Sequence, residues 1–500
     1  MTTNNAIIWT ISGADCSGGA GIAADIKTAH ALGVEICSLI TANTVQNSQH
    51  VISVNPTSCD VLTQQVNVLL TDKPPNAIKI GLLVNLEQVH WLTTTLLILK
   101  AQIPALKVIY DPVAQASVGG VLSTVTANDL TELLPLVDII TPNWAEAKSL
   151  VSLDANTDID KPEKLATNIQ KLGVNTVIIK GGHATSKVCE DYCFEAQESG
   201  DILIYQLRST RINSDYSHGG GCTFASAIAA LIAQGYLIRD AFTLAKAYIN
   251  QGLSYHENKL GYYGAFEQGA LPTNAEHFPQ NSAALVKQYQ QLDAFKSLMH
   301  EEANLGLYPV VDSLAWLQAL LPLGLEIIQL RIKNKTDEEL DAIIAEAVAL
   351  CQHSKTRLFI NDYWQLAIKH KAYGVHIGQE DLQDADLVQI HAAGLRLGIS
   401  THGCYEFILA QQLKPSYLAI GAIFPTRTKD MTGQIQGLAN LRHILNLKTN
   451  IPVVAIGGIT LKNVEDVWQT GVDSVAVVTA ITEAKSPSQA VKDFQTKLQQ

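Results

Sequence analysis

The sequence predicts an α/β protein in two parts: a mostly parallel sheet with flanking helices, then a (β/α)8 TIM barrel. Short apolar runs alternate with helical stretches along the chain, the pattern of parallel strands covered by helices. After residue 305 these runs recur eight times over about 200 residues, the count and size of a closed barrel. The length of 500 residues also exceeds what one core ordinarily supports.

In the first half the strand candidates are AIIWTIS, EICSLIT, AIKIG, LKVIY, VDIIT and TVIIK, followed by helices at 221–234 and 239–255. VCEDYCFEA alternates like a further strand, with Cys189 and Cys193 read as buried thiols because no second Cys/His pair stands nearby. In the second half GLYPVV (306–311), EIIQLR (326–331), RLFIN (357–361) and YGVHI (373–377) come first. LRLGIS (395–400), SYLAIG (416–421), PVVAIG (452–457) and DSVAVV (473–478) complete the eight, and a last helix covers 486–498. Residues 1–260 are therefore expected as one domain, 261–300 as a connector and 301–500 as the barrel.

Composition narrows the function. The chain is 47% hydrophobic and 16% charged, with eight scattered cysteines and a formal charge of −12. Without a lysine-arginine stripe, no nucleic acid partner is expected. No apolar stretch approaches the roughly 20 residues of a membrane helix, and the N-terminus lacks a signal pattern. A cytoplasmic protein with no membrane partner is expected, and homo-oligomerisation is left open. Any site for an anion must be locally positive against an acidic background.

Glycine-rich loops carry the chemistry of the first half. GADCSGGAG (13–21) follows the first strand, and HGGGC (218–222) runs into a helix without a capping side chain. Such a start leaves N–H groups free to hold an anion. Cys222 stands at that helix N-terminus, where the dipole is expected to lower a thiol pKa; a small packing residue is the alternative. In TPNWAEA, Asn143 and Glu146 are three apart at a helix start. They suit a hydrated Mg2+ or an ordinary capping pair. Lys180 ends a strand ready for phosphate, and Asp111 in DPV is a candidate for metal-water or substrate contact.

The series GADCSGGAGIAADIKT, TANTVQNS, KIGLL, DPV, TPNWAEA, KGGH and HGGGCTFASA resembles the hydroxymethylpyrimidine/phosphomethylpyrimidine kinases of the ribokinase superfamily. The resemblance implies that Gln46 hydrogen-bonds an aminopyrimidine, with Gly13 and Val113 walling its ring and Asp25 beside the pocket. It further implies Cys222 in an acid/base position, with the N–H groups of Gly219, Gly220, Gly221 and Cys222 as an anion hole. Asn143, Glu146 and Lys180 would serve Mg–ATP. The family usually has proline where Cys16 stands and threonine where Gly220 stands; losing that threonine removes one hydroxyl near the phosphates, so slower or weaker ATP use rather than none is expected.

In a (β/α)8 barrel the reactive groups lie at the C-terminal ends of the strands. Those ends read QLRIK (329–333), INDYW, GQEDL, STH, PTRTK, GGI and VVTA. Arg331, Lys333 and Lys429 suit a diphosphate, and Asp362 with Asp381 suits Mg2+. This half resembles thiamine phosphate synthase over residues 306–482. The resemblance implies that Gln329, Leu330, Arg331, Ile332, Lys333, Asn361, Ser400 and Lys429 bind hydroxymethylpyrimidine diphosphate, with Mg2+ on Asp362 and Asp381. Thr426, Arg427, Thr428, Gly458, Val478 and Thr479 would bind a thiazole phosphate. The whole would make the pyrimidine diphosphate from hydroxymethylpyrimidine and ATP, then consume it with thiazole phosphate to give thiamine phosphate. Two alternatives for the first half stay open: a B6-vitamer kinase, or a non-catalytic pyrimidine-binding module.

Overall fold

The period-two pattern of the first strands decides how the first unit is layered. In the computed structural model, which describes residues 6–47, 49–113, 120–152, 161–181, 186–257, 264–298, 305–427 and 435–499, two compact units divide at 283/284. The first holds strands β1 (Ile7–Asp15), β2 (Glu35–Gln46), β3 (Val51–Pro56), β4 (Ala77–Ile80) and β5 (Lys107–Tyr110). It continues with β6 (Ile139–Ile140), β7 (Thr176–Ile179), β8 (Val188–Ala196), β9 (Ile202–Thr210) and β10 (Gln280–Asn281). These form one sheet in the order β10-β9-β8-β7-β6-β5-β4-β1-β2-β3. The pairs from β2 through β7 are parallel, and β3 and β8–β10 add antiparallel edges.

The helices are α1 (Gly21–Ala31), α2 (Cys59–Asp72), α3 (Leu86–Gln102), α4 (Trp144–Leu150), α5 (Pro162–Gln170), α6 (Gly220–Ala233) and α7 (Ile238–Ser254). Trp9 and Ile11 of β1 and Ile78 and Ile80 of β4 enter one apolar core with Leu62 of α2, Leu92 of α3 and Ile169 of α5. The alternate residues face the other way, so Thr10 and Lys79 meet Asp25 of α1. There α1 and α6 pack on each other, and α6 also meets β1, β4 and β5.

The second unit contains β11 (Gly306–Val311), β12 (Ile327–Leu330), β13 (Arg357–Asn361), β14 (Gly374–Ile377), β15 (Arg396–Thr401), β16 (Tyr417–Ile420), β17 (Val453–Ile456) and β18 (Ser474–Val477). They close into a barrel, each strand parallel to the next and β11 pairing with β18. Its interior holds Tyr308, Ile327, Phe359, Tyr417 and Val454. Both faces of these strands are buried, which is why they read as unbroken apolar runs.

The segment expected as a connector divides between the units. Residues 264–281 are built into the first: His218 N donates to Gly264 O and Phe266 N to His218 O, and Gln251 donates to Ala270 O. Residues 284–298 belong to the second, where Lys414 donates to Leu292 O at 2.8 Å. Backbone pairing rather than a buried stripe holds the earlier piece, which explains its lack of period. Among the described residues no helix is long and apolar enough to cross a membrane.

Candidate active sites

The C-terminal ends of β5, β6 and β7 converge with the start of α6 on one cleft of about 510 Å³. Gln46, Val113, Asn143, Glu146, Lys180, Gly219, Gly220, Gly221 and Cys222 all line it, and so does Asp111. The loop 218–222 is held open by its glycines. Gly219 has φ +84°, and a Cβ there would collide with the carbonyl of Gly19, so the two glycine loops pack backbone to backbone. Helix α6 starts without a side-chain cap; the N–H of Gly220 donates to Ser217 O at 3.0 Å, and those of Gly221 and Cys222 stand at the cleft.

Charges are paired across that cleft. Lys180 Nζ lies 2.8 Å from Asp111 Oδ1. Burial works against the ammonium, but Asp111 and Glu146 outweigh it and hold Lys180 above the usual lysine range. Burial also pushes Glu146 up to about 7, with Lys180 opposing and Asp111 adding to the rise. Asn143 and Glu146 form a full capping box, Glu146 N donating to Asn143 Oδ1 at 3.0 Å and Asn143 N to Glu146 Oε2 at 2.7 Å. The pair is thus a capping pair, which uses the single side-chain oxygen of Asn143 and one of the two of Glu146, and both residues line the cleft.

The structure corrects two expectations here and refines a third. Cys222 is not a lowered thiol: burial pushes it up to about 11, with Asp25 and Asp111 adding to the rise and Lys79 opposing. A helix N-terminus is outweighed by desolvation and two carboxylates. Asp25 stands beside the pocket, behind its lining and close enough to act on Cys222. It is wholly buried, 2.9 Å from Lys79 Nζ and hydrogen-bonded by Thr10 and Ser226. Gly13 is buried in the bulged end of β1 and is not among the residues lining the cleft; a Cβ there would press on Leu82.

Two functional groups escaped the sequence reading. Asp15 accepts from Ser17, Ala20 and His218, the last at 2.7 Å. Burial raises its pKa, but hydrogen bonds from His218, Ser17 and Gln46 outweigh this and hold the carboxyl well below the usual range. It therefore ties Gln46 to the first residue of HGGGC. Asp191 accepts from Gly181 N and pairs with Lys246, both at 2.6 Å, fixing the turn after Lys180. The alternation of VCEDYCFEA could have flagged Asp191, since it shares a face with the buried Cys189 and Cys193.

In the barrel the strand ends open on a cavity of about 230 Å³. Gln329, Arg331, Lys333, Asn361, Asp362, Asp381, Ser400, Thr426 and Val478 line it. Leu330 and Ile332 do not: at 2% and 5% exposure they point into the surrounding core, because neighbours along an extended strand face opposite sides. Arg427, Gly458 and Thr479 are also outside the lining, and Thr428 and Lys429 lie outside the described residues.

Asp362 adopts φ +64° just after β13, a left-handed conformation that aspartate tolerates better than most residues. Lys333 Nζ stands 2.9 Å from its Oδ2, and Asn361 donates to the same oxygen. Burial raises the pKa of Asp381, and the charge and hydrogen bond of Asp362 raise it further. Two carboxylates held together in this way fit a divalent cation, which would relieve their repulsion. Among the described residues no third His, Cys, Asp or Glu joins them, so phosphate oxygens and water would complete the shell.

His376 was not anticipated. It lies at the end of β14 with Nδ1 2.7 Å from Tyr417 Oη and Nε2 2.8 Å from Ser400 Oγ. Burial lowers its pKa to about 4, so the ring is neutral at physiological pH. Its inward register in YGVHI, two residues after Gly374, was the signal available.

Comparison with known proteins gives a family for each unit. The family model of phosphomethylpyrimidine kinase matches residues 15–267, and that of thiamine monophosphate synthase matches residues 307–481. A thiamine-phosphate synthase of Salmonella paratyphi B is 55% identical over 191 residues, 38% of this chain and 90% of that protein. A solved phosphomethylpyrimidine kinase from Clostridium difficile 630 is 30% identical and covers 49% of this chain and 99% of its own, with TM-score 0.40. A pyridoxal kinase from Staphylococcus aureus in complex with ADP is 30% identical over 53% of this chain and 94% of its own, with TM-score 0.47. The chain belongs to the phosphomethylpyrimidine kinase family through its first unit and to the thiamine monophosphate synthase family through its second, and is a bifunctional enzyme of thiamine biosynthesis.

Proposed function

We propose that the first cleft phosphorylates 4-amino-5-hydroxymethyl-2-methylpyrimidine twice from ATP, and that the barrel joins the resulting diphosphate to 4-methyl-5-(2-phosphoethyl)thiazole. The convergence of Lys180, Asp111, Glu146 and the uncapped α6 start on one cleft carries the kinase reading. The N–H groups of Gly221 and Cys222 hold the transferring phosphoryl oxygens, since that of Gly220 already donates to Ser217 O, and Lys180 neutralises developing charge between them. Gln46 offers a donor and an acceptor to the pyrimidine edge. With its proton held up to about 11, Cys222 receives the substrate hydroxyl's hydrogen bond rather than acting as a preformed thiolate. A loose phosphoryl transition state needs little base help until late. Mg2+ carried in with ATP, beside Asp111 and Glu146, would supply further charge neutralisation on the phosphates.

In the barrel the facing carboxylates Asp362 and Asp381, with Lys333 beside them, carry the reading. Arg331 and Lys333 hold the diphosphate as its bond to the methylene carbon breaks. Mg2+ on Asp362 and Asp381 would stabilise the departing diphosphate. The aminopyrimidine delocalises the cation that remains, and the thiazole nitrogen attacks it with both partners held close. Thr426 and Val478 border the place for the thiazole phosphate.

Asp362→Ala tests this assignment in the full chain given Mg–ATP, hydroxymethylpyrimidine and thiazole phosphate. Wild type should form thiamine phosphate, whereas the variant should form almost none and accumulate the pyrimidine diphosphate. A variant that still condenses the diphosphate at the wild-type rate would remove Asp362 from the site.

A further inference from the structure

Beneath the barrel rim a line of buried polar side chains joins two of the expected substrate contacts. Gln329 Nε2 donates to Tyr308 Oη at 3.3 Å, and Tyr308 Oη lies 2.7 Å from Tyr417 Oη. Tyr417 Oη lies 2.7 Å from His376 Nδ1, and His376 Nε2 lies 2.8 Å from Ser400 Oγ. The five residues come from β12, β11, β16, β14 and β15. Tyr308, Gln329, His376 and Tyr417 are each 6% exposed or less.

Each hydroxyl in such a line has one proton to give, so the direction of one bond decides the next. Tyr308 accepts from Gln329 and must therefore give its own proton to Tyr417. Tyr417 in turn gives its proton to His376 Nδ1. That nitrogen is then an acceptor, the ring proton sits on Nε2, and Nε2–H donates to Ser400 Oγ. Ser400 is left with a proton to donate to a ligand. Gln329, having spent an N–H inward, has its carbonyl oxygen as the acceptor. Reversing any one bond would reverse all of them, because a buried hydroxyl left without a use for its proton is costly.

We propose that Tyr308, Tyr417 and His376 are positioning residues which set the hydrogen-bond polarity of the synthase site, making Gln329 an acceptor and Ser400 a donor toward substrate. This rests on the reading that Gln329 and Ser400 contact the pyrimidine diphosphate. An aminopyrimidine edge presents an amino donor beside a ring-nitrogen acceptor, the complement of that pair. A pyrimidine bearing oxygen in place of the amino group would present the opposite order. The line thus acts as a specificity device set by two tyrosines, Tyr308 and Tyr417, that lie outside the cavity lining.

Tyr417→Phe removes the central hydroxyl and keeps the ring, which packs edge-on to Phe359 with centroids 5.1 Å apart. In the full chain, kcat/KM for the pyrimidine diphosphate should fall roughly tenfold to hundredfold, the scale of one or two buried hydrogen bonds. KM for the thiazole phosphate should stay within about twofold. In a Ser400→Ala background the same change should cost clearly less, since the part of its effect that runs through Ser400 is already gone. Nitrogen-15 spectra of histidine-labelled protein should show the Nε2–H tautomer of His376 in wild type and a tautomer mixture in Tyr417→Phe. Equal losses in both backgrounds, losses shared equally by the two substrates, or a wild-type Nδ1–H tautomer would overturn the proposal. If Ser400→Ala alone left pyrimidine kinetics unchanged, the substrate assignment itself would fall and the proposal with it. Should Tyr417→Phe not fold, Tyr308→Phe breaks the same line and carries the same expectations.

Discussion

Asp25→Asn is the sharpest test of how the kinase unit is built, because it removes one charge and almost no volume. Asp25 and Lys79 have side chains at 0% exposure, and Lys79 Nζ is 2.9 Å from both carboxylate oxygens. Thr10 and Ser226 donate to the same carboxylate at 2.6 and 2.7 Å. Asparagine keeps the shape, but it leaves the ammonium without a counter-charge and turns an N–H2 toward donors. Breaking a buried pair in this way costs about 3–5 kcal/mol. For a unit of this size that is a fall in melting temperature of about 6–20 °C, read as the temperature at which kinase activity is lost. A second readout has a sign. Asp25 helps to push the Cys222 thiol up and Lys79 opposes it. The midpoint of Cys222 alkylation against pH should therefore move down in Asp25→Asn and up in Lys79→Met, although both variants are less stable. The modified peptide identifies Cys222, since Cys16 is exposed and Cys59 and Cys351 are, like Cys222, partly exposed. An unchanged melting temperature would mean the pair is not enclosed. Midpoints moving in the same direction would mean that Cys222 does not sense the pair.

Cys222→Ala should lower phosphorylation of hydroxymethylpyrimidine by about 10²-fold with little change in stability; full activity in a steady-state assay would reduce the residue to packing. Gly220→Thr should raise kcat/KM for ATP by about tenfold, the worth of one hydroxyl bond to a charged phosphate. The position has room, since a Cβ there meets nothing within 4 Å, and an unchanged value would show that the missing hydroxyl is irrelevant. Glu146 titrates near 7 in the folded protein against 4.5 in the ordinary state. The folded form thus holds the extra proton between those values, and the stability it contributes is present at low pH and lost as pH rises through 7. Relative to Glu146→Gln, ligand-free wild type should gain at most about 1.4 kcal/mol between about pH 8 and about pH 6. Denaturant titrations followed by kinase activity would measure it, and a gain of the opposite sign would refute the burial of this carboxyl.

The barrel was the more legible half. Its strands are buried on both faces, so RLFIN, SYLAIG and DSVAVV stand out as apolar runs, and chemistry at strand ends could be read from QLRIK and INDYW alone. Within QLRIK the expectation still included Leu330 and Ile332, which the strand's own alternation turns away from Gln329, Arg331 and Lys333. In the first unit β3, β9 and β10 passed unnoticed. Ile202, Leu203 and Ile204 are all partly exposed on β9, so no clean alternation marks it.

The sequence by itself determined the architecture of both units, the families they belong to and most of the residues that surround each cleft. These follow from local periodicity and from glycine, lysine and aspartate at the ends of strands, properties that neighbours along the chain decide. Only the tertiary structure decided the state of those residues. Asp25 is a buried counter-ion because Lys79 and Ser226 reach it from 54 and 201 positions away. Cys222 keeps its proton because desolvation and two carboxylates outweigh the end of its own helix. His376 acquires a tautomer from tyrosines on other strands. Protonation and hydrogen-bond direction depend on which polar groups share a buried volume, and that volume is assembled from parts of the chain far apart in sequence.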